Sequence, residues 1–427
     1  MDTVNLKRLS DEIKEFEKYL APTPYENKCR EDLFELIKDV VQWKYPHSNV
    51  EAFGSYETQL LLPSSDIDLN ITAAMNVSAR DILSKMRYSL TKKGLRIDLF
   101  VPQATVPVLK VSDPRTSLTA DITAQNNVAS STRTLAWANE YPELKPLFLV
   151  LKHALLAIRF DWDPNYEVLS TVKNGLASYS LVCMIIHYLK YKDDDKDNDK
   201  NGDKGDSIKN QKKNHPMTRL GRLLMGFLSY FSSFDFEKNG IGFYSKQGVI
   251  LKLDHLALKQ AKEVHQVMLI ENPDDTTSNV ARATRTMKQL QAVLAWMHAK
   301  LHIAIESNYF RRSLLENIIK VDPHQPGKPR QSLAKYHFPL IRLTKDDVGT
   351  CLPSVDPNLF ANKNKPVYRP KPWDKRKRVE YENDEDEYHY RPSKKRGYQT
   401  FNENKSRSPK QKRMKQNNAK KSVQLKK

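Results

Sequence analysis

Phe53-Gly54-Ser55-Tyr56-Glu57-Thr58-Gln59-Leu60-Leu61-Leu62-Pro63-Ser64-Ser65-Asp66-Ile67-Asp68-Leu69-Asn70-Ile71 is the stretch that decides how this 427-residue chain is read. From Asp66 on, polar side chains alternate with Ile67, Leu69 and Ile71, the two-residue period of a strand, so Asp66 and Asp68 leave the same face. Two carboxylates so placed can hold hard cations jointly through oxygen, as magnesium requires. A pair of such ions can activate an attacking hydroxyl and stabilise a leaving pyrophosphate. Upstream, Val50, Ala52 and Phe53 read as a strand, and Gly54-Ser55 starts a turn. There, backbone amides and a hydroxyl can approach phosphate oxygens with no Cβ in the way. Alone, an Asp-x-Asp is more often a solvated loop or a calcium contact.

A third carboxylate is expected from a neighbouring strand. Asp121 lies in the alternating stretch Leu118-Thr119-Ala120-Asp121-Ile122-Thr123, where an acid has no structural excuse beyond capping a strand end. Working outward, periodicity predicts helices over 5–20, 26–44 and 80–93. Strands are expected at 96–101, 106–111 and 118–123, with Pro107 marking a bulge or an edge. Helices return over 147–159, 176–191, 217–235, 255–267 and 280–303. The fold class is therefore α+β: a small mixed sheet domain, a helical domain and a tail, without internal repeats. The expected boundaries are 1–45 for N-terminal helices belonging to the central domain, 46–131 for the catalytic domain, 132–345 for the helical central domain and 346–427 for the tail. The polar run 192–214 and the tail read as disordered, having too little apolar surface to offset ordering.

Charge supports a polyanionic partner without naming a reaction. The formal net charge is +19, and an excess of Lys and Arg favours phosphate-rich surfaces. From Lys363 onward there are 22 basic and 8 acidic residues, so +14 of the net +19 belongs to the tail and the body is only mildly basic. Cys29, Cys183 and Cys351 are far apart, which disfavours a disulfide framework or a zinc site and fits a reducing compartment. No apolar signal core or membrane-length run is visible, so a soluble intracellular protein without membrane contact is expected.

The run from Phe53 to Ile71 resembles the hydrophobic-Gly-Ser, spacer, Asp-x-Asp hallmark of the DNA-polymerase-β-like nucleotidyltransferase superfamily. Within it the chain looks like the non-canonical poly(A) RNA polymerases of the TRAMP type. The likeness continues through Val106-Pro107-Val108-Leu109-Lys110, Leu149-Val150-Leu151-Lys152-His153 and Leu176-Ala177-Ser178-Tyr179-Ser180, and spans roughly residues 1–310. It implies a nucleotidyltransferase domain packed on a helical, poly(A)-polymerase-associated central domain, with ATP in the cleft between them.

The resemblance also implies roles. Gly54 and Ser55 would hold the β- and γ-phosphates. Asp66 and Asp68 would ligate both magnesium ions, with manganese as an alternative. Asp121 would ligate the catalytic ion and help deprotonate the RNA 3′-hydroxyl. Asn126 would meet the ribose 2′-hydroxyl, and Lys152 the triphosphate, although an ordinary surface lysine remains the alternative there. Ser178 would touch phosphate and Tyr179 would stack on the base, unless Tyr179 is simply a core tyrosine. The run Glu271 to Arg282 resembles the nucleotide-recognition motif, so Asp275, Ser278, Asn279 and Arg282 are candidate nucleotide contacts. Equally, Ser278 or Asn279 could cap a following helix. Uridylate-adding relatives carry histidine where Ser278 stands, which favours ATP over UTP; adenylate-adding relatives usually carry asparagine. Two departures are Asn272, where Asp is usual, and the apolar Leu156 to Ile158, with Arg159 one step beyond the usual basic position.

In the tail, Lys375-Arg376-Lys377-Arg378 and Lys394-Lys395-Arg396 read as a nuclear import signal or as a salt-sensitive RNA-gripping arm. Trp373, Tyr388, Tyr390, Tyr398 and Phe401 could stack on bases or belong to a solvated linker. With no RNA-binding module or zinc knuckle recognised in the sequence, RNA choice is expected to depend on partners. The family resemblance implies a zinc-knuckle RNA-binding protein and a helicase acting with the nuclear exosome, in the nucleus and including the nucleolus. The rival readings are a terminal uridylyltransferase of the same fold and a catalytically silent RNA-binding scaffold.

Overall fold

The computed structural model describes residues 3–73, 77–163, 166–193, 216–258, 264–307, 312–321 and 339–351. The expectations for the 192–214 insert and for the tail fall almost entirely outside these residues.

The sheet domain is built as the alternation predicts. Five strands, β1 (Asn49–Phe53), β2 (Ile67–Thr72), β3 (Arg96–Val101), β4 (Val108–Ser112) and β5 (Thr119–Ala124), lie in the order β1-β2-β5-β4-β3. Only the β2–β5 pair is parallel. Ile67, Leu69, Ile71, Leu109, Ala120 and Ile122 share one fully buried face. Against it pack helices α2 (Pro24–Lys44) and α4 (Ala79–Lys92), through Leu33, Ile37, Val41, Ile82, Met86 and Leu90. Burial of this order stabilises by about 1.5–3 kcal/mol per large side chain. The opposite face carries Asp66, Asp68, Asn70, Asp121 and Lys110.

Helix α1 (Thr3–Leu20) buries Leu9, Ile13 and Leu20 in the other core, that of the helical domain. The same core takes in residues of α6 (Leu144–Ala157), α7 (Ser178–Tyr191), α8 (Arg219–Ser233) and α9 (Met287–Glu306). Close approach to α8 requires Gly221, where a Cβ would lie 2.6 Å from the Leu6 carbonyl oxygen.

Several local expectations are corrected. The second N-terminal helix serves the sheet domain, not the central one, because its apolar stripe faces β1, β2 and α4. Pro107 precedes β4, which is an interior strand; the irregularity lies opposite, on edge strand β3 between Ile97 and Leu99. Gly54-Ser55 opens a one-turn helix, α3 (Gly54–Thr58), ended by Gln59 at φ 58°. The helix expected over 255–267 is replaced by short turns at Leu256–Leu258 and Val264–Gln266, with 259–263 outside the described residues. The helix expected over 280–303 begins only at Met287, since 271–279 folds as a hairpin. Ile341–Leu343 pairs in parallel with Ile158–Phe160, and the helix Lys345–Cys351 follows, so the body runs past the expected limit at 345.

Candidate active site

Strand register assembles the acids. Asp68 of β2 faces Asp121 of β5 across the parallel pair, and Asp121 faces Lys110 of β4. Asp66, one residue before β2, accepts a hydrogen bond from the Thr119 hydroxyl and is paired with the Lys110 ammonium. The same ammonium lies 3.2 Å from Asp121 Oδ1. Gly54 sits directly over this row at φ 65°, and a Cβ there would fall 2.2 Å from Asp68 Oδ2. Its amide donates to Ser131 Oγ at 2.7 Å. The Ser55 amide donates to the Asp68 carboxylate.

Three carboxylates this close exceed the positive charge beside them. Burial, then the neighbouring charges of Asp121 and Asp66, push the Asp68 carboxyl up to about 7. Burial also raises Asp121, although Lys110 opposes that. Burial lowers Lys152 to about 8 against the pull of Asp68 and Asp66. Lys110 is desolvated as well, yet its bonds to Asp66 and its nearness to Asp121 hold it above the ordinary lysine value.

Among the described residues no three carboxylate, imidazole or thiolate side chains already converge on one point, because Lys110 stands between Asp66 and Asp121. The donor set nevertheless fits a hard divalent cation: all-oxygen, in one row, and with Asp68 short of counter-charge. Asp66, Asp68 and Asp121 are the residues that would hold it.

A cleft leads away from the acids. Its narrow end, about 90 Å³, is lined by Gly54, Ser55, Ser131, Lys152, Ser178 and Tyr179 among others. Lys152 comes from α6, with its ammonium 5.4 Å from the Phe148 ring centre. Ser178 and Tyr179 open α7. Tyr179 is only partly buried; it stacks on Trp137 with ring centres 6.5 Å apart, and burial raises its hydroxyl well above the usual tyrosine range. Tyr179 and Ser130 also line the wide end, of about 740 Å³, which lies within the roughly 300–1,000 Å³ usual for small-molecule sites.

The far wall of the wide end is a hairpin whose two arms are Glu271–Asn272 and Asp275–Asn279. Ser278 Oγ donates to the Asp275 carbonyl at 3.1 Å and accepts from Asn272 Nδ2 at 3.0 Å. Arg282 is exposed on the cavity lining. Two expected nucleotide contacts are otherwise engaged. Asn279 is buried, accepting from the Ile270 and Ala281 amides and donating to the Met268 carbonyl at 2.8 Å, so its amide is a strut of the hairpin. It does not cap a helix. The Asp275 carboxylate bonds the amide and hydroxyl of Thr277, shaping the turn and lying below its ordinary value for that reason. Asn126 stands beside the site, but Asn127 is the one lining the cavity. Arg159 does not substitute for a second phosphate lysine: it donates to the Leu156 and Ile158 carbonyls at 2.8 Å.

Three participants escape a reading of the sequence alone. Lys110 could be found by pairing the expected strands, since it sits opposite Asp121. Ser131 and Arg133 of α5 (Ala129–Glu140) carry no local signal. Arg133 crosses the cleft to Asp274 at the hairpin tip, Nε to Oδ1 3.0 Å.

Comparison with known proteins follows the same division. Residues 9–136 match the family model for the central palm domain of poly(A) RNA polymerase, mitochondrial-like. Residues 219–278 match that for Cid1 family poly A polymerase. Poly(A) RNA polymerase protein 2 of Saccharomyces cerevisiae is 25% identical over 330 residues, covering 74% of this chain and 53% of that protein. The inactive non-canonical poly(A) RNA polymerase protein Trf4-2 of Drosophila melanogaster is 27% identical, covering 73% of each. The chain thus spans about half the length of the yeast relative. The polymerase core of TRAMP, an RNA surveillance complex, has the same fold, with a TM-score of 0.60 at 24% identity over 74% of this chain and 94% of that one. From acid row, cleft, family models and relatives together, the chain is similar to the non-canonical poly(A) RNA polymerases.

Proposed function

We propose that this chain is a template-independent adenylyltransferase that lengthens RNA 3′ ends from ATP. The observation that carries the proposal is the alignment of Asp68 with Asp121 in parallel register, with Asp66 beside them, under Gly54 and at the head of the cleft. Magnesium, with manganese as an alternative, would be held by Asp66, Asp68 and Asp121 and would supply charge neutralisation at the phosphates and activation of the attacking hydroxyl. The triphosphate extends past the Gly54 and Ser55 amides towards Lys152 and Ser178, where a point charge and a helix N-terminus both favour anions. The 3′-hydroxyl oxygen of RNA forms a bond to the α-phosphorus, the bond to the β-phosphate oxygen breaks, and pyrophosphate leaves. Asp121 takes the hydroxyl proton, a role suited to a carboxylate whose proton affinity burial has raised. The adenine stacks on Tyr179 and faces Ser278, with Arg282 on the same wall.

The partners and setting are part of the same proposal. RNA selection is assigned to a zinc-knuckle RNA-binding protein and a helicase that feed the nuclear exosome, with the basic tail clusters directing the chain to the nucleus.

The test is a labelled RNA with a free 3′-hydroxyl, incubated with each single nucleoside triphosphate in magnesium. Extension with ATP is expected. Extension with UTP alone would identify a uridylyltransferase, and no extension by protein that binds RNA would favour a silent scaffold; the Drosophila relative is itself named inactive.

A further inference from the structure

Asn70 continues the acid stripe of β2, two residues beyond Asp68, yet it is fully buried and cannot touch a ligand. It occupies the next row of the sheet, facing Glu51 of β1 and Thr123 of β5. Its amide is spent on one neighbour above all. Oδ1 accepts from the Asn126 amide and Nδ2 donates to the Asn126 carbonyl, both at 3.1 Å. The second amide hydrogen is directed to Glu51 Oε1 at 3.0 Å. One side chain therefore grips both backbone polar groups of Asn126.

That grip is passed on to the cavity. Gln125, at φ 54°, turns the chain out of β5 four residues after Asp121. Asn126 Oδ1 accepts from the Asn127 amide at 2.9 Å, and Asn127 Oδ1 accepts from the Ala129 amide at 2.8 Å, at the start of α5. Asn127, Ala129 and Ser130 line the wide cavity. A nucleotide whose phosphates lie by Gly54 and Lys152 and whose base lies by the hairpin must lay its sugar against this loop. The loop offers amide side chains and backbone polar groups, which suit a sugar hydroxyl.

We infer that Asn70 is a positioning residue for sugar recognition: by clamping the Asn126 backbone it holds the Asn126-Asn127 loop against the ribose, and the preference for ribonucleotides over deoxynucleotides depends on it. The inference rests on the nucleotide placement of the proposed function. Asn70→Ala would leave both Asn126 groups without their partner. Asn70→Asp keeps the size and the acceptor but sets a second carboxylate against Glu51 and the Asn126 carbonyl.

The test uses the full chain and the variants Asn70→Ala, Asn70→Asp and Asn126→Ala, each checked for a cooperative thermal transition. Should Asn70→Ala not fold, Asn70→Ser replaces it. Equilibrium binding of ATP and of dATP is measured in calcium, without turnover, and single-nucleotide addition to RNA is measured in magnesium. The wild type is expected to prefer ATP. In each Asn70 variant the ATP-to-dATP ratio should fall about tenfold, the size of one net hydrogen bond, through KM for ATP and not through kcat. Asn70→Ala combined with Asn126→Ala should be no worse than the worse single change. An unchanged ratio in folded variants, equal loss of kcat with both nucleotides, or a wild type that does not distinguish the two nucleotides overturns the inference. A wild type that binds ATP in preference to dATP but transfers neither refutes the polymerase reading alone, since the binding ratios of the variants still decide the role of Asn70.

Discussion

The two ends of the cleft are made differently. At the acid end nearly every group is delivered by a regular element: Asp68, Asp121 and Lys110 by strand register with Asp66 one residue before its strand, Gly54 at the start of a short helix, Lys152 by a fully packed helix. At the base end a short hairpin is held by its own polar side chains and by one ion pair, Arg133 to Asp274, reaching from the other wall. Register fixes positions through many cooperative hydrogen bonds, whereas a partly exposed ion pair contributes roughly 0.2–1 kcal/mol. On the proposed function, chemistry thus sits on the rigid side and nucleotide choice on the adjustable side.

That contrast predicts unequal penalties. Asp68→Asn should reduce adenylate addition about a thousandfold, near 4 kcal/mol of barrier, while ATP binding in calcium weakens far less; residual activity within tenfold of wild type in a primer-extension assay would break the assignment. Lys152→Met should lower kcat/KM roughly thirtyfold, largely through KM, because a desolvated cation facing the triphosphate is lost. Arg133→Ala should raise KM for ATP only threefold or so, and Arg133→Asp with Asp274→Arg should recover most of it. A tenfold effect that the charge swap does not rescue would mean that Arg133 itself touches the nucleotide.

A smaller effect is read in stability. Asp68 titrates near 7 in the folded protein, against an ordinary value of 3.8. A raised folded value means that the proton favours folding: the contribution is complete below about pH 4 and is lost as pH rises through 7. Without divalent ions, Asp68→Asn should therefore unfold at nearly the wild-type temperature at pH 4 and several degrees above it at pH 8, with about 4 kcal/mol as the upper limit set by a rise from 3.8 to about 7. Magnesium at pH 8 should raise the wild type more than the variant. An equal difference at both pH values in a thermal melt would remove the carboxylate crowding from the account.

The acid end is legible in the sequence for the reason it is rigid. Period-two alternation by itself assigns Asp66 and Asp68 to one face and marks Asp121 as an acid out of place in its own strand; pairing the strands brings Asp121 and Lys110 to them. Pro107 misleads because a proline immediately before a strand leaves the ladder intact. The second helix goes to the wrong domain because an apolar stripe says that a face is buried, but not against what. At the base end, runs such as 255–267 and 280–286 have helical composition, yet Asn279 and the Ile270 amide commit the chain to a hairpin through contacts that no local pattern encodes. Arg133 and Ser131 are meaningful only across a fold already closed.

The hairpin's internal bracing has an evolutionary corollary. Because Asn279 anchors the ladder from beneath and Asp275 ties off the bend, Ser278 shares the bracing and adds only its bonds to Asn272 and the Asp275 carbonyl. On the proposed function, a lineage could exchange the residue there, and with it the letter written onto an RNA end, at the cost of those two bonds and with the acid row untouched.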